Sequence, residues 1–181
     1  MDELKQIKVK LCLVGEYEVG KTSLIRKYVF NQFSDNYICT IGTNVTKKKI
    51  KIRDPKTKKP MLVQLMIWDI MGRKGLRKLL GQAFYFGAQG IIGVCDNTRE
   101  QTLTDLDFWI KDILCSKEEI PSVLLGNKFD LDVHQEIGLN EIRNFTAGYE
   151  KSAAYLTSAK TGYNVDCAFT NLSEKILRNI C

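Results

Sequence analysis

Residues 15–22 read Gly-Glu-Tyr-Glu-Val-Gly-Lys-Thr, two glycines spaced for a tight loop and followed by Lys21 and Thr22. This is the pattern G-x-x-x-x-G-K-[ST]. What precedes and follows it constrains the fold. Ile7 to Val14 alternates apolar and basic residues and then runs fully apolar, as a strand does on entering a core. Ser23 to Phe30 carries apolar residues at helical spacing. A strand–loop–helix turn of this kind aims backbone N–H groups and the positive end of a helix dipole at one point, which suits an anion such as a phosphate. Lys21 adds a point charge and Thr22 a hydroxyl able to ligate Mg²⁺. The plainer alternative is a glycine turn that binds nothing.

The rest of the chain alternates strand-like and helix-like segments. Strands are predicted at 7–14, 62–68, 90–95, 120–126 and 153–157, and helices at 22–32, 76–86, 101–115, 139–149 and 164–180. Asn164 is the expected N-cap of the last helix, and Asn97 or Thr98 that of the helix carrying Leu103, Leu106 and Ile110. Such alternation implies a doubly wound parallel sheet covered by helices on both faces. One element departs from it. Thr43–Arg53 and Pro60–Trp68 are extended runs joined by Asp54-Pro55-Lys56-Thr57-Lys58-Lys59, a turn-forming stretch. The expectation is a six-stranded α/β sheet, mostly parallel with one antiparallel edge strand, and about five helices. At 181 residues, 44% hydrophobic and 27% charged, the chain suits one domain, 1–181, with the hairpin at 43–68 inside it.

Composition excludes several classes. No apolar run approaches the roughly 18–20 residues of a membrane span, and residues 1–6 lack a signal-peptide core. The six cysteines form no Cys-x-x-Cys pair and the one histidine, His134, is remote from them, so a zinc site is not expected. Cys12 and Cys95 sit in apolar strand patterns and read as small buried hydrophobes in a reducing cytosol. The net charge of +6 is local: residues 47–59 hold eight basic residues against the single acid Asp54. The remainder is close to neutral.

Four further segments follow the loop in order. Trp68 is followed by Asp69-Ile70-Met71-Gly72, an Asp at a strand's carboxyl end that can hold the water shell of Mg²⁺, and a Gly whose N–H can approach a γ-phosphate. Asn127-Lys128-Phe129-Asp130 closes another strand, and the Asp130 carboxylate, an acceptor only, suits the N1–H and 2-amino donors of guanine. Thr157-Ser158-Ala159-Lys160 offers a backbone N–H to the guanine carbonyl, and Thr40-Ile41-Gly42 a second hydroxyl for Mg²⁺.

With these boxes in this order, the chain resembles a small GTPase of the Ras superfamily, most like the Rab branch, over about residues 7–180. The Rab-like features are Thr40-Ile41-Gly42, Trp68-Asp69 and Gly87-Ala88-Gln89-Gly90-Ile91-Ile92. The resemblance implies a P-loop NTPase fold and a Mg²⁺-dependent GTP/GDP switch that hydrolyses GTP. It implies nucleotide contacts from Gly15, Glu18, Val19, Gly20, Lys21, Thr22, Ser23, Phe33, Tyr37, Asn127, Lys128, Asp130, Ser158, Ala159 and Lys160. Mg²⁺ would be held by Thr22, Thr40 and, through water, Asp69. Lys21, Thr40, Gly72 and position 73 are the catalytic positions. Residues 33–42 and 72–86 would be the switch regions that meet effector proteins.

Departures from the family pattern shape the expectation. Arg73 stands where Gln usually orients the attacking water, and a guanidinium, which only donates, cannot copy that amide. Tyr17 occupies a position that is usually small because outside arginine fingers pass it. Both point to slow hydrolysis, or to a constitutively GTP-bound binding module without turnover. Glu16 and Glu18, acids beside a phosphate loop, are expected to face solvent. Of the family's aromatic effector cluster Trp68 is kept, Phe84 is a second candidate, Val45 replaces an aromatic, and the second switch is one residue longer. The basic hairpin 47–59 is read either as a solvated edge or as a patch for an anionic membrane or acidic partner. Nucleic acid is not expected, because no aromatics interleave its lysines. The sequence closes on Leu177-Arg178-Asn179-Ile180-Cys181 with no C-a-a-X box or paired cysteines, so either Rab-type membrane cycling is absent or a tail has been removed. A monomer in the cytoplasm is the expected form.

Overall fold

The computed structural model describes residues 5–36, 40–72, 83–114, 120–149 and 151–180. Among them are six strands in one sheet: β1 (Gln6–Val14), β2 (Thr43–Arg53), β3 (Pro60–Ile70), β4 (Gly90–Asp96), β5 (Ser122–Asn127) and β6 (Ala154–Leu156). Four α-helices, α1 (Lys21–Phe30), α2 (Gln101–Leu114), α3 (Leu139–Thr146) and α4 (Val165–Ile180), and a 3₁₀ turn at Asp132–His134 complete the described elements. The sheet order is β2-β3-β1-β4-β5-β6. Only β2–β3 is antiparallel, in the register Thr43↔Ile70 through Arg53↔Pro60. β1 is central, parallel to β3 and to β4.

That position explains the apolar run at the end of β1. A parallel strand covered on both faces must be apolar on both. Leu11 and Leu13 face one core with Leu24, Ile25 and Phe169 from α1 and α4. Cys12 and Val14 face the other, with Leu106, Trp109 and Ile110 of α2 and Ile142 of α3. Tyr28 and Phe169 stack at 3.9 Å between ring centres and fasten α1 to α4. Cys12 and Cys95 are buried free thiols, as their strand positions imply.

The hairpin joins its strands through Asp54. The Asp54 carboxylate accepts from the Lys56 and Thr57 amides at 2.9 and 3.0 Å, and from Lys5 Nζ at 3.2 Å. The hydrogen bond from the Thr57 amide is the leading reason its carboxyl falls to about 2.

Two helix openings differ from expectation. Asn164 stands at the N-cap position of α4, its carbonyl accepting from the Ala168 N–H at 3.1 Å, but it has φ 54° and its side-chain amide donates to the Leu156 carbonyl at 3.0 Å, pinning the end of β6. α2 begins at Gln101, beyond Asn97 and Thr98. Thr98 instead donates through its N–H and hydroxyl to Asp96, at 3.0 and 2.7 Å, forming a turn ahead of the helix. The expected helix at 76–86 falls largely outside the described residues.

Candidate nucleotide site

A cleft of about 370 Å³ opens at the carboxyl ends of β1, β3 and β5. Its floor is the loop between β1 and α1. Gly20, the residue before α1, has φ 95°, and no side chain caps the helix, so its first N–H groups face the cleft. A Cβ on Gly20 would stand 2.3 Å from Asn127 Nδ2, so only glycine lets β5 and the loop meet here. Asn127 fastens that meeting. Its Nδ2 donates to the Val19 carbonyl at 2.9 Å, and its Oδ1 accepts from the Ala159 N–H at 3.2 Å. One buried amide thus holds three loops in register.

Lys21 is buried and donates to the Gly15 and Glu16 carbonyls at 2.8 and 2.6 Å. Burial pushes its ammonium down to about 8, opposed by the charges of Asp69 and Glu16. An anion placed above the loop restores the preference for the charged form.

Beside it, Thr22, Thr40 and Asp69 converge. Thr22 Oγ1 donates to Asp69 Oδ2 at 2.5 Å and lies 3.0 Å from Thr40 Oγ1. Asp69 is buried, which raises its carboxyl above the ordinary range despite the Thr22 hydrogen bond and the Lys21 charge. Among the described residues Asp69 Oδ1 has no hydrogen-bond partner. A buried carboxylate oxygen without a donor, beside two hydroxyls, is a hard oxygen set that fits Mg²⁺.

Gly72 presses on the loop from the β3 side. A Cβ there would lie 2.5 Å from the Glu16 carbonyl carbon and 2.6 Å from the Tyr17 nitrogen. Any other residue would push the loop away.

The far end of the cleft carries Asp130, Lys128, Ala159, Lys160 and Phe33. Ser158 donates to Asp130 Oδ1 at 2.5 Å, which orients the carboxylate. Phe129 and Tyr163 stack nearby at 5.3 Å.

The loop before α1, the Thr22 and Thr40 hydroxyls beside Asp69, and the Asp130 carboxylate thus meet at one cleft. Residues 10–178 match the Ras family. Ras-related protein Rab-18-B of Danio rerio is 35% identical over 181 residues, 98% of this chain and 83% of that protein. The chain belongs to the Ras family and is Rab-like. The GTP-binding protein yptV5 of Volvox carteri is 32% identical, with 99% of this chain and 87% of that one aligned. Ras-related protein Rab7 of Drosophila melanogaster is also 32% identical, over 98% and 84%.

Against the Rab-like expectations the structure adds one correction and two unforeseen roles. Glu16 does not face solvent. It is 8% exposed, and its Oε1 accepts the indole N–H of Trp109 at 3.0 Å. Glu18 is exposed, as expected, and it also lines the cleft. Lys128, which the resemblance makes a nucleotide contact, also pairs its ammonium with Asp96 at 2.6 Å. Asp96, absent from the sequence expectations, is fully buried and also accepts from Arg99 Nε at 3.0 Å. Burial alone would raise its carboxyl; hydrogen bonds from Lys128 and Thr98 override that and hold it below the ordinary range. Arg99 in turn donates to the Tyr17 carbonyl at 3.1 Å, with its guanidinium 5.8 Å from the Tyr17 ring. An Asp closing an apolar strand reads as a turn former, and nothing local signals its three-way role. Val19 is buried, Ser23 lines the cleft, and Gly15 lies beneath Lys21. Arg26, Ile70, Met71 and Leu131 also line it and were not foreseen. Tyr37 and Arg73 lie outside the described residues.

Proposed function

We propose that this protein is a Mg²⁺-dependent guanine-nucleotide switch that hydrolyses GTP slowly. One observation carries the reading: the uncapped helix start with Lys21 and the oriented Asp130 carboxylate line a single cleft. The loop from Gly15 to Ser23 would cradle the phosphates, and Lys21 would meet the outer ones. Asp130 would accept from the guanine N1–H and 2-amino group, with the Ala159 N–H on the carbonyl side and Phe33 and Lys128 against the rings. Thr22, Thr40 and Asp69 would hold Mg²⁺, which when bound neutralises charge on the phosphate oxygens. Residues 33–42 and 72–86 would change with the γ-phosphate and meet effectors. On its likeness to relatives named Rab, the role is read as one in membrane trafficking or signalling, and the working form as a cytoplasmic monomer.

A second reading is a constitutively GTP-loaded binding module. It is favoured by Arg73 at the position of the water-orienting Gln. It is also favoured by Tyr17, half-exposed at the cleft, where an external arginine would have to pass.

Nucleotide released from the purified protein by chelation and heat, then separated by anion exchange, tests both. GDP supports the hydrolysing switch and GTP the loaded module. Adenine nucleotide, or none after reconstitution with Mg²⁺ and GTP, overturns guanine binding itself.

A further inference from the structure

Arg26 lines the nucleotide cleft from α1 and is half-buried there. Its guanidinium has no hydrogen-bond or ion-pair partner among the described residues. The other cations around the cleft are engaged. Lys21 holds two loop carbonyls, Lys128 pairs with Asp96, and Arg99 pairs with Asp96 and donates to the Tyr17 carbonyl. A guanidinium carries five donors and stays charged at any working pH. Withdrawing it from water with no anion to meet is unfavourable, so its place at the cleft calls for one.

The helix aims Arg26 at the oxygen cluster. It follows Thr22 by four residues, so the two share a face of α1, about 6 Å apart along the axis. Helix side chains lean toward the N-terminus, which carries a long one back over the preceding turn. The electrostatics agree. Against its burial, the charged form of Asp69 is favoured by the Thr22 hydrogen bond, the Lys21 charge, the Thr40 hydrogen bond and the Arg26 charge, in that order. Arg26 is thus a second cation acting on Asp69, whose buried Oδ1 lacks a donor among the described residues. A cation without an anion and a carboxylate oxygen without a donor meet at one site. Asp35, exposed and lining the cleft, is the rival partner.

We propose that Arg26 is a resident counter-cation of the Mg²⁺ site, which compensates Asp69 when the metal is absent and opposes the metal when it arrives. A divalent ion placed beside a standing positive charge binds more weakly. The metal-free protein, for its part, keeps its buried carboxylate compensated. Both effects narrow the difference between the metal-loaded and metal-free states. The inference rests on the guanine-nucleotide reading, and it makes nucleotide retention less dependent on Mg²⁺ than Thr22, Thr40 and Asp69 alone would.

The test follows release of a fluorescent guanosine diphosphate from the full chain, chased with unlabelled nucleotide, over a range of free Mg²⁺ set with EDTA. Thermal melting of the loaded chain with and without Mg²⁺ is the second readout, and melting with Mg²⁺ shows that each variant folds. Arg26→Gln removes the charge and keeps a side chain of similar reach. In it, the Mg²⁺ concentration that half-slows release should fall about tenfold, and chelation should speed release about tenfold more than in wild type. The loss of melting temperature on chelation should also grow. Arg26→Met should match Arg26→Gln, and Arg26→Lys should restore most of the wild-type behaviour. Lys27→Gln, which takes the same charge from a side chain lying against Gly162, should change nothing.

Equal metal dependence in wild type and Arg26→Gln overturns the inference, and so does the same change from Lys27→Gln. Asp35→Asn reproducing Arg26→Gln also overturns it, by assigning the guanidinium to residues 34–36. A wild-type chain that binds no guanine nucleotide in excess Mg²⁺ is a different result: it overturns the guanine reading, and this inference with it.

Discussion

Trp109 of α2 donates its indole N–H to Glu16 in the phosphate-type loop, 3.0 Å away, with both side chains buried. A carboxylate so close to the loop is unfavourable for an anion unless something takes up its charge. The indole donor, together with the Lys21 ammonium that feels the Glu16 charge, does so. Glu16 therefore ties the loop to the helix that packs beneath it. Glu16→Ala leaves the Trp109 N–H without this acceptor and should cost about 1–3 kcal/mol. Urea unfolding followed by Trp fluorescence measures it, and a stability equal to wild type would remove this role. Glu16→Gln keeps an acceptor and should cost less.

Much of this architecture is legible in the sequence because it rests on local chemistry. The glycines at 15 and 20 announce the loop, the apolar run before them the central strand, and Asp54-Pro55 the hairpin. The edge strand's bounds, Thr43–Arg53, are readable because alternation and turn residues agree. What was not legible depends on partners far along the chain. Glu16 and Trp109 are 93 residues apart. Asp96 and Lys128 meet only because β4 and β5 end side by side, with Asp96 opposite Asn127. Asn164 carries an N-cap signature, yet its amide is taken by Leu156, because β6 ends within reach of it.

The Asp96 carboxylate links the Lys128 ammonium and the Arg99 guanidinium, and Arg99 reaches the Tyr17 carbonyl. Asp96→Asn removes the charge that both cations share. Each cation is about a third exposed, so solvent screens part of the loss, and about 1–2 kcal/mol of destabilisation is expected. The functional effect should be larger than that number suggests, because the phosphate loop and the Lys128 segment would no longer be braced together. Release of a fluorescent guanine nucleotide is expected to quicken about tenfold. Unchanged release from a stably folded variant would confine Asp96 to stability. Arg99→Ala should give a smaller effect in the same direction.

Asp54 makes the hairpin turn sensitive to acid. Its folded carboxyl is depressed to about 2, chiefly by the Thr57 amide hydrogen bond, below the ordinary value near 4. For a depressed carboxyl, the stabilisation is complete above the unfolded value and is lost as pH falls through the folded one. The turn should therefore hold from neutral pH down to about 4 and loosen progressively toward 2. Amide exchange at Lys56 and Thr57, followed by NMR over that range, checks the sign. Asp54→Asn should remove the dependence, and a midpoint near 4 in the wild type would contradict it.

Buried thiols should resist alkylation. Burial pushes both Cys12 and Cys95 up to about 12, so neither offers a thiolate at neutral pH. Cys167 is exposed. Iodoacetamide followed by peptide mapping is expected to mark Cys167 readily, and Cys12 and Cys95 only after unfolding. Prompt labelling of Cys95 in the folded protein would mean that β4 opens far more often than its burial implies.

The hydrolysis rate is the property most exposed to a single side chain. Arg73 has only donors, so it cannot accept a proton from the attacking water as a Gln carbonyl can. Tyr17, 53% exposed at the cleft, is proposed as a second obstacle, to an arginine from outside. Arg73→Gln is therefore expected to raise single-turnover GTP hydrolysis about tenfold, close to 1.4 kcal/mol of barrier. Tyr17→Gly should change the unassisted rate little, since its effect falls on access. Both variants should keep guanine nucleotide affinity, because neither residue supplies the base or Mg²⁺ contacts. A wild-type rate equal to or above that of Arg73→Gln would reverse the assignment and make Arg73 a stabilising cation at the γ-phosphate. In that case Arg73→Lys, which keeps the charge but loses the planar fork, should fall below wild type.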